Sequence, residues 1–283
     1  MTLYLRLTAS TTFINWLLFI WAVNNDHLLD ASLGYFNSPM VNVVCTVFLL
    51  IAALNFSLHY AAVSSRSLRG YFYDPEFKAF FIIQASLISI CFFVLTLSGY
   101  YTSAEQALDQ AMIQAVSIST TAGFATTDFS VWPTFLPIML IFSSFIGGCA
   151  SSTGGGLKVV RVCLLFLQGK REVDRLIHPK AVYSVKFGDR AMPDRVVEAV
   201  WGFFSAYAVV FVVIMIGLIA TGLDNLSAFT ATAAMLNNLG PGLGSVAANY
   251  ADVTDAGKWI LVTGMVFGRL EVFSLLVLFS PTF

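Results

Sequence analysis

Residues 103–124 read SAEQALDQAMIQAVSISTTAGF, and this stretch decides how the rest of the chain is understood. It opens on Ser103, a capping-type residue, runs through a moderately apolar helical segment over 104–117, and breaks into Ser119-Thr120-Thr121-Ala122-Gly123-Phe124. A helix of that length reaches about 18–21 Å, enough to enter a bilayer and too little to cross it. Residues 224–242, DNLSAFTATAAMLNNLGPG, repeat the plan, with Asp224 as cap, a helical segment over 225–236 and the break Asn237-Asn238-Leu239-Gly240-Pro241-Gly242. Taken singly, the competing reading of each is a surface helix followed by a glycine turn. The spacing favours a repeat: Gly123 and Gly240 are 240 − 123 = 117 residues apart, and the apolar spans ahead of them start about 119 apart. Non-helical backbone at membrane depth is tolerated only where it is buried in protein or lines a watery cavity.

The composition requires a bilayer. Of 283 residues, 58% are hydrophobic and only 11% charged, with a mean hydropathy of +0.80, whereas a soluble domain carries about 25% charged residues. A net charge of -1 and a pI near 6.3 argue against a nucleic-acid partner. Cys45, Cys91, Cys149 and Cys163 lie far apart in apolar stretches, and His27, His59 and His178 have no ligand at a useful spacing, which argues against a metal centre.

Apolar runs long enough to cross about 30 Å of hydrocarbon fall at 39–63, 77–98, 133–167, 196–220 and 257–283. Connections holding Arg66, Arg69 and Lys78, and then Lys158, Arg161, Lys170, Arg171, Arg175, Lys180, Lys186, Arg190 and Arg195, face the cytoplasm by the positive-inside rule. The outward connections carry Asp26, Asp30, Glu105, Asp109, Asp128, Asp224, Asp252 and Asp255, an acidic set that attracts cations. The expected fold is an all-α polytopic membrane protein, built from repeated units of helix, re-entrant pore half-helix, filter strand and helix, as in potassium channels.

Such a strand suits ion selection. Backbone carbonyls replace the hydration shell of a potassium ion without burying full negative charges, and glycine allows the angles that aim them at one axis. Side chains such as Thr121 and Asn238 are placed to hydrogen-bond behind the strand and hold it. The filter candidates are Thr120, Thr121, Ala122, Gly123 and Phe124, with Asn237, Asn238, Leu239, Gly240 and Pro241. The span at 133–167 starts with Trp132-Pro133, an interfacial aromatic and a first-turn proline, and holds helix for about 14 residues. It then meets Gly147, Gly148, Ser151, Ser152, Thr153, Gly154, Gly155 and Gly156. Small-residue helix packing is one reading, a phosphate loop another, although its Gly-Lys-Ser/Thr ending is absent; a flexible loop beneath the filter is the third. Arg269 lies about 16 Å of helix inward of Lys258, near mid-membrane, where a cation faces a pore or a partner; Glu271, two residues on, points to a different side. Two rival functions stand beside potassium permeation: a sodium-coupled transporter of broken helices, and an intramembrane protease using Ser151 or Ser152, for which no base on another span is evident.

Four runs closely resemble the membrane-subunit (TrkH) family of Trk-type bacterial potassium uptake transporters. They are Thr120-Thr121-Ala122-Gly123-Phe124; residues 146–158, from Ile146 through the glycines to Lys158; residues 236–244, from Leu236 to Gly244; and Phe267-Gly268-Arg269-Leu270-Glu271. The resemblance covers residues 30–283. It implies four pore units around one pore, potassium ion as the transported substrate, a homodimer in the bacterial inner membrane, and a cytosolic nucleotide-binding regulatory ring of the TrkA type. It implies no enzymatic activity. Residues 30–76 then correspond to the outer helix of the second pore unit with a cytoplasmic loop, 77–195 to the third unit and 196–283 to the fourth. The glycine run resembles the family's intramembrane loop, which obstructs the pore until it opens, and Arg269 its fixed charge beneath the filter.

The match is incomplete at the front. A carbonyl ring needs about four strands, and two are recognisable here. Where the family places a second filter, Val23-Asn24-Asn25-Asp26-His27 stands, and the apolar run over 13–23 is too short to span. Residues 1–29 are therefore expected to be a divergent N-terminus, from truncation or a frame shift of a longer gene.

Overall fold

A computed structural model describes residues 39–271 other than 134, 182 and 189. The expectations for residues 1–38, including the missing second filter and the divergent N-terminus, lie outside the described residues, as does 272–283. Ten helices are described: α1 Pro39–Ala52, α2 Phe56–Ser65, α3 Arg69–Tyr73, α4 Pro75–Leu97, α5 Ala104–Ser119, α6 Leu136–Ile146, α7 Val159–Ile177, α8 Asp194–Ala220, α9 Asn225–Leu236 and α10 Asp255–Arg269. Beyond the all-helical expectation, a small hairpin pairs β1 Lys186–Phe187 with β2 Arg190–Ala191 in the basic connection.

α4 and α8, with 23 and 27 residues, are long and apolar enough to cross a membrane, about 35 and 40 Å of helix. Their outer faces stay uncovered, with Ile82, Phe93 and Leu97 on one and Val209, Val213 and Ile216 on the other, as expected where lipid is the solvent. α4 begins where the sequence allows it to: Asp74 accepts from Phe77 N (2.8 Å) and Pro75 occupies the first turn.

α5 and α9 are the half-helices. Ser103 Oγ accepts from Gln106 N (3.2 Å) and an Asp224 carboxylate oxygen from Ser227 N (3.1 Å), so both expected caps form. α9 ends at Leu236 as read, whereas α5 continues two residues past Ser117, to Ser119. Unlike α4 and α8 they are enclosed: Ala111, Ala115 and Val116 in α5 and Ala228, Ala231 and Ala233 in α9 have no exposed surface. Small side chains let the surrounding helices close on them. The units share one core, in which Leu95, Ile118, Leu140 and Ile141 pack with Ala233, Ala234 and Leu239.

Three spans depart from the sequence reading. The run at 39–63 is not one helix; it bends by 92° between α1 and α2. The bend has no proline or glycine. Asn55 caps α2 by accepting from Ser57 N (2.9 Å), and the Ala53 carbonyl accepts from Cys149 N (2.8 Å), so the glycine loop of the next span uses the backbone freed at the bend. In the 133–167 run the break is present, but helix starts at Leu136, with Pro137 rather than Pro133 in its first turn, and lasts 11 residues. Trp132 is not interfacial: only 3% exposed, it packs into the shared core. In the 257–283 run, α10 ends at Arg269 and Glu271 takes a φ of 59°, so this helix is interrupted there; the remainder of the run lies outside the described residues.

Candidate functional site

The two breaks have unlike sequences and one backbone. Thr121 and Asn238, at φ 62° and 56°, are both left-handed, and two residues on Gly123 and Gly240 lie at 77° and 104°. Ala122 N and Gly123 N donate to Ser117 O (2.8 and 3.3 Å); 117 residues later Leu239 N and Gly240 N donate to Ala234 O (2.7 and 3.4 Å). Thr121 N reaches Ile118 O at 3.1 Å, and Asn238 N reaches Met235 O at 3.1 Å. A left-handed turn thus satisfies the last carbonyls of each half-helix and redirects the chain back outward.

The strands touch. A Cβ on Gly123 would overlap the Leu239 carbonyl oxygen and come within 3.4 Å of Pro241 Cδ, whereas one on Gly240 would meet open space. Above them an outer cavity of about 730 Å³ is lined by Gly123, Asp128, Gly240, Pro241 and Tyr250 among others. Below lies a chamber of about 90 Å³ between Thr120, Thr121, Ala122, Thr153, Gly154 and the end of α1. Phe124 is half exposed at the outer side. The Gly240 carbonyl accepts from Tyr250 Oη (2.7 Å), so that oxygen is already engaged.

Each strand is held from behind. Thr121 Oγ1 accepts from Gly155 N (2.6 Å), so this side chain ties the first break to the glycine loop of the same unit. The Asn238 Nδ2 is buried and has no hydrogen-bond partner among the described residues. The neighbouring Asn237 side chain is engaged, accepting from Tyr207 Oη (2.5 Å) on α8 and donating to Ser144 Oγ (2.8 Å) on α6, all three buried. On α5, Ser119 Oγ donates to Gln84 Oε1 (2.8 Å), and Gln114 Nε2 donates to Thr127 O (3.0 Å) on the ascending chain. A tyrosine and a glutamine inside apolar spans were the signals for these braces.

The loop over 147–156 sits directly beneath. A Cβ on Gly155 would overlap the Asn237 carbonyl oxygen, and one on Gly154 would stand 2.8 Å from that of Thr120. Thr120 and Asn237 occupy the same place in the two units, 237 − 120 = 117 residues apart. The loop's other glycines are needed where it folds on itself: Gly147, at φ 70°, presses on Gly155, and Gly156, at φ 74°, on the Ser144 carbonyl. Gly148 lies against the Ala53 carbonyl. Ser151 (φ 56°) accepts from Phe56 N (3.5 Å), and Glu76 Oε1 accepts from Ala150 N (2.6 Å). Lys158, read as a cytoplasmic cation, instead turns into the loop and donates to the carbonyls of Ser152 (3.3 Å) and Gly154. Its Nζ also stands 3.4 Å from Ser152 Oγ. Nζ is thus surrounded by three oxygens, matching the three donors of a lysine side chain.

Arg269 Nη1 points to Thr153 O at 3.5 Å, which brings the α10 charge to the same loop. Glu271 pairs with Arg161 (2.7 Å) instead, as its position two residues on implies, and the Arg161 guanidinium lies 4.2 Å from the centre of the Phe203 ring. Of the acidic residues read as outward-facing, Asp109 is buried and accepts from Asn42 Nδ2 (2.6 Å), so it joins α5 to α1 and does not face water. Asp224 remains at the surface. Hydrogen bonds from the Ser227 hydroxyl and amide hold its carboxyl below the usual range, and it is charged at neutral pH.

A family model described as TrkH, cation transport protein, matches residues 22–282. The chain is 61% identical over 256 residues to the Trk system potassium uptake protein TrkH of Vibrio parahaemolyticus, covering 90% of this chain and 53% of that protein. It is 57% identical over 254 residues to the protein of that name in Escherichia coli K12, covering 90% and 53%. The crystal structure of the potassium transporter TrkH from Vibrio parahaemolyticus superposes with a TM-score of 0.84, over 88% of this chain and 54% of that one. The chain therefore spans about half the length of these relatives.

Proposed function

The chain belongs to the TrkH family of cation transport proteins, and from that premise we propose that it supplies two of the pore units through which potassium ion is taken up. The supporting observation is the repeated backbone: two breaks of different sequence adopt one hydrogen-bond pattern at an interval of 117 residues, their strands in contact at Gly123 and Leu239. A cation stripped of water needs such a ring of fixed oxygens, about four strands in all. Thr120, Thr121, Ala122, Gly123 and Phe124 form one strand of the filter, and Asn237, Asn238, Leu239, Gly240 and Pro241 another. Residues 30–76 contribute the outer helix of the second unit, 77–195 the third unit and 196–283 the fourth. The loop with Gly147, Gly148, Ser151, Ser152, Thr153, Gly154, Gly155 and Gly156, together with Arg269, is the gate.

The protein acts as a transporter and not as an enzyme, in the bacterial inner membrane, as a homodimer with a cytosolic nucleotide-binding ring of the TrkA type. Potassium is its substrate, and no resident cofactor enters the mechanism. The test is flux from liposomes holding the transporter assembled with its remaining pore units. Potassium should permeate well ahead of sodium; equal permeation of both, or sodium-driven uptake in which potassium is not carried, overturns the reading.

A further inference from the structure

The glycine loop is held differently along its two halves. Upstream, Cys149 N donates to Ala53 O (2.8 Å) and Ala150 N to Glu76 Oε1 (2.6 Å), so that half is fixed to α1 and α4. Downstream, over 152–156, Lys158 gathers two carbonyls, those of Ser152 and Gly154, while Thr121 holds Gly155 N and Arg269 reaches Thr153 O. Lys158 itself has a φ of 78°, a conformation unfavourable for any residue with a Cβ. Gly154, whose carbonyl it holds, is the residue pressed against the Thr120 carbonyl, and Gly155 beside it presses on that of Asn237.

We propose that Lys158 is a positioning residue for gating: its tethered ammonium latches the downstream half of the loop against both filter strands, and releasing it lets that half leave the pore. The inference rests on the pore reading above. Charge-assisted hydrogen bonds are the strong ones in a site poor in water, and a lysine amine, with three donors on a long stem, holds several carbonyls at once. Opening exchanges those carbonyls for water. The latch is thus specific for a cationic side chain, and Lys158→Arg should retain much of it whereas Lys158→Met should not.

Thr121 offers a reporter, because it is buried and its hydroxyl accepts from Gly155 N (2.6 Å). In the assembled transporter, with Cys45, Cys91, Cys149 and Cys163 replaced by serine, Thr121→Cys is exposed to a cationic thiol reagent from the cytoplasmic side. Lys158→Met should speed labelling roughly tenfold, the scale of one lost hydrogen bond to a charge, and Lys158→Arg should restore the slow rate. With Thr121 native, Lys158→Met should raise potassium flux by a similar factor and leave the potassium-to-sodium ratio unchanged. Lys158→Gln, run in parallel, keeps a polar end in case the methionine variant folds poorly. Labelling and flux unchanged in both neutral variants, or arginine as fast as methionine, overturns the latch. A wild-type protein that carries no potassium defeats the pore reading, while the labelling rates still decide whether Lys158 holds the loop.

Discussion

Gly123 and Gly240 share a place in the repeat but not an environment. Both have positive φ, which costs a residue with a Cβ about 1–2 kcal/mol. Gly123 adds an overlap with the Leu239 carbonyl oxygen, which Gly240 lacks. Gly217 sits in plain helix, where a Cβ would come 3.3 Å from the flexible end of Ile260. Potassium-over-sodium discrimination should therefore fall most in Gly123→Ala, less in Gly240→Ala and least in Gly217→Ala, measured as bi-ionic flux ratios; equal losses in all three would remove the filter assignment. Arg269 tests charge rather than shape. A cation a few ångströms from the ion path imposes about 2–4 kcal/mol at an effective dielectric near 20, so Arg269→Ala should raise flux tens-fold or more. Arg269→Lys should stay near wild type, since the charge remains while the planar fork is lost. Flux in Arg269→Ala at or below wild type, with unchanged abundance, would make the residue a structural tie to Thr153.

At the level of elements, filter and loop should separate. Shortening the 147–156 loop should raise open probability and leave selectivity intact, because it removes the obstruction and spares the carbonyls. Tyr207→Phe should do the reverse. It deletes the hydroxyl that donates to Asn237 from α8 (2.5 Å) and leaves a buried amide oxygen short of a partner, about 1–3 kcal/mol, so the ion ratio should drop while opening frequency holds. Single-channel records distinguish the two outcomes. The sequence displayed these elements unevenly. The half-helices were legible because Ser103 and Asp224 announce their starts and glycine their ends. The bend at Ala53-Leu54-Asn55 was not, since it carries no breaker and depends on backbone partners about 95 residues away. Lys158 read as a cytoplasmic cation for a similar reason: its partners are chiefly backbone oxygens, which leave no trace in side-chain spacing. Trp132 misread as interfacial because an apolar core and a membrane surface both accept an indole.

For the whole molecule, two strands are half of the ring that a dehydrated potassium ion needs. Residues 1–283 expressed alone should leave a potassium-uptake-deficient bacterium unable to grow at low potassium. Co-expression with the N-terminal half of a relative should restore growth; rescue by the chain alone would mean that it completes a ring by self-assembly. The buried Asp109–Asn42 contact and the shared core across both units indicate that these parts fold as one body. The adjacent residues Gly154 and Gly155 meet equivalent carbonyls of two different units. A single peptide link cannot retreat from one strand and stay seated on the other, so the two contacts break together. Current through one pore should then switch between shut and full amplitude in one step, without partial levels.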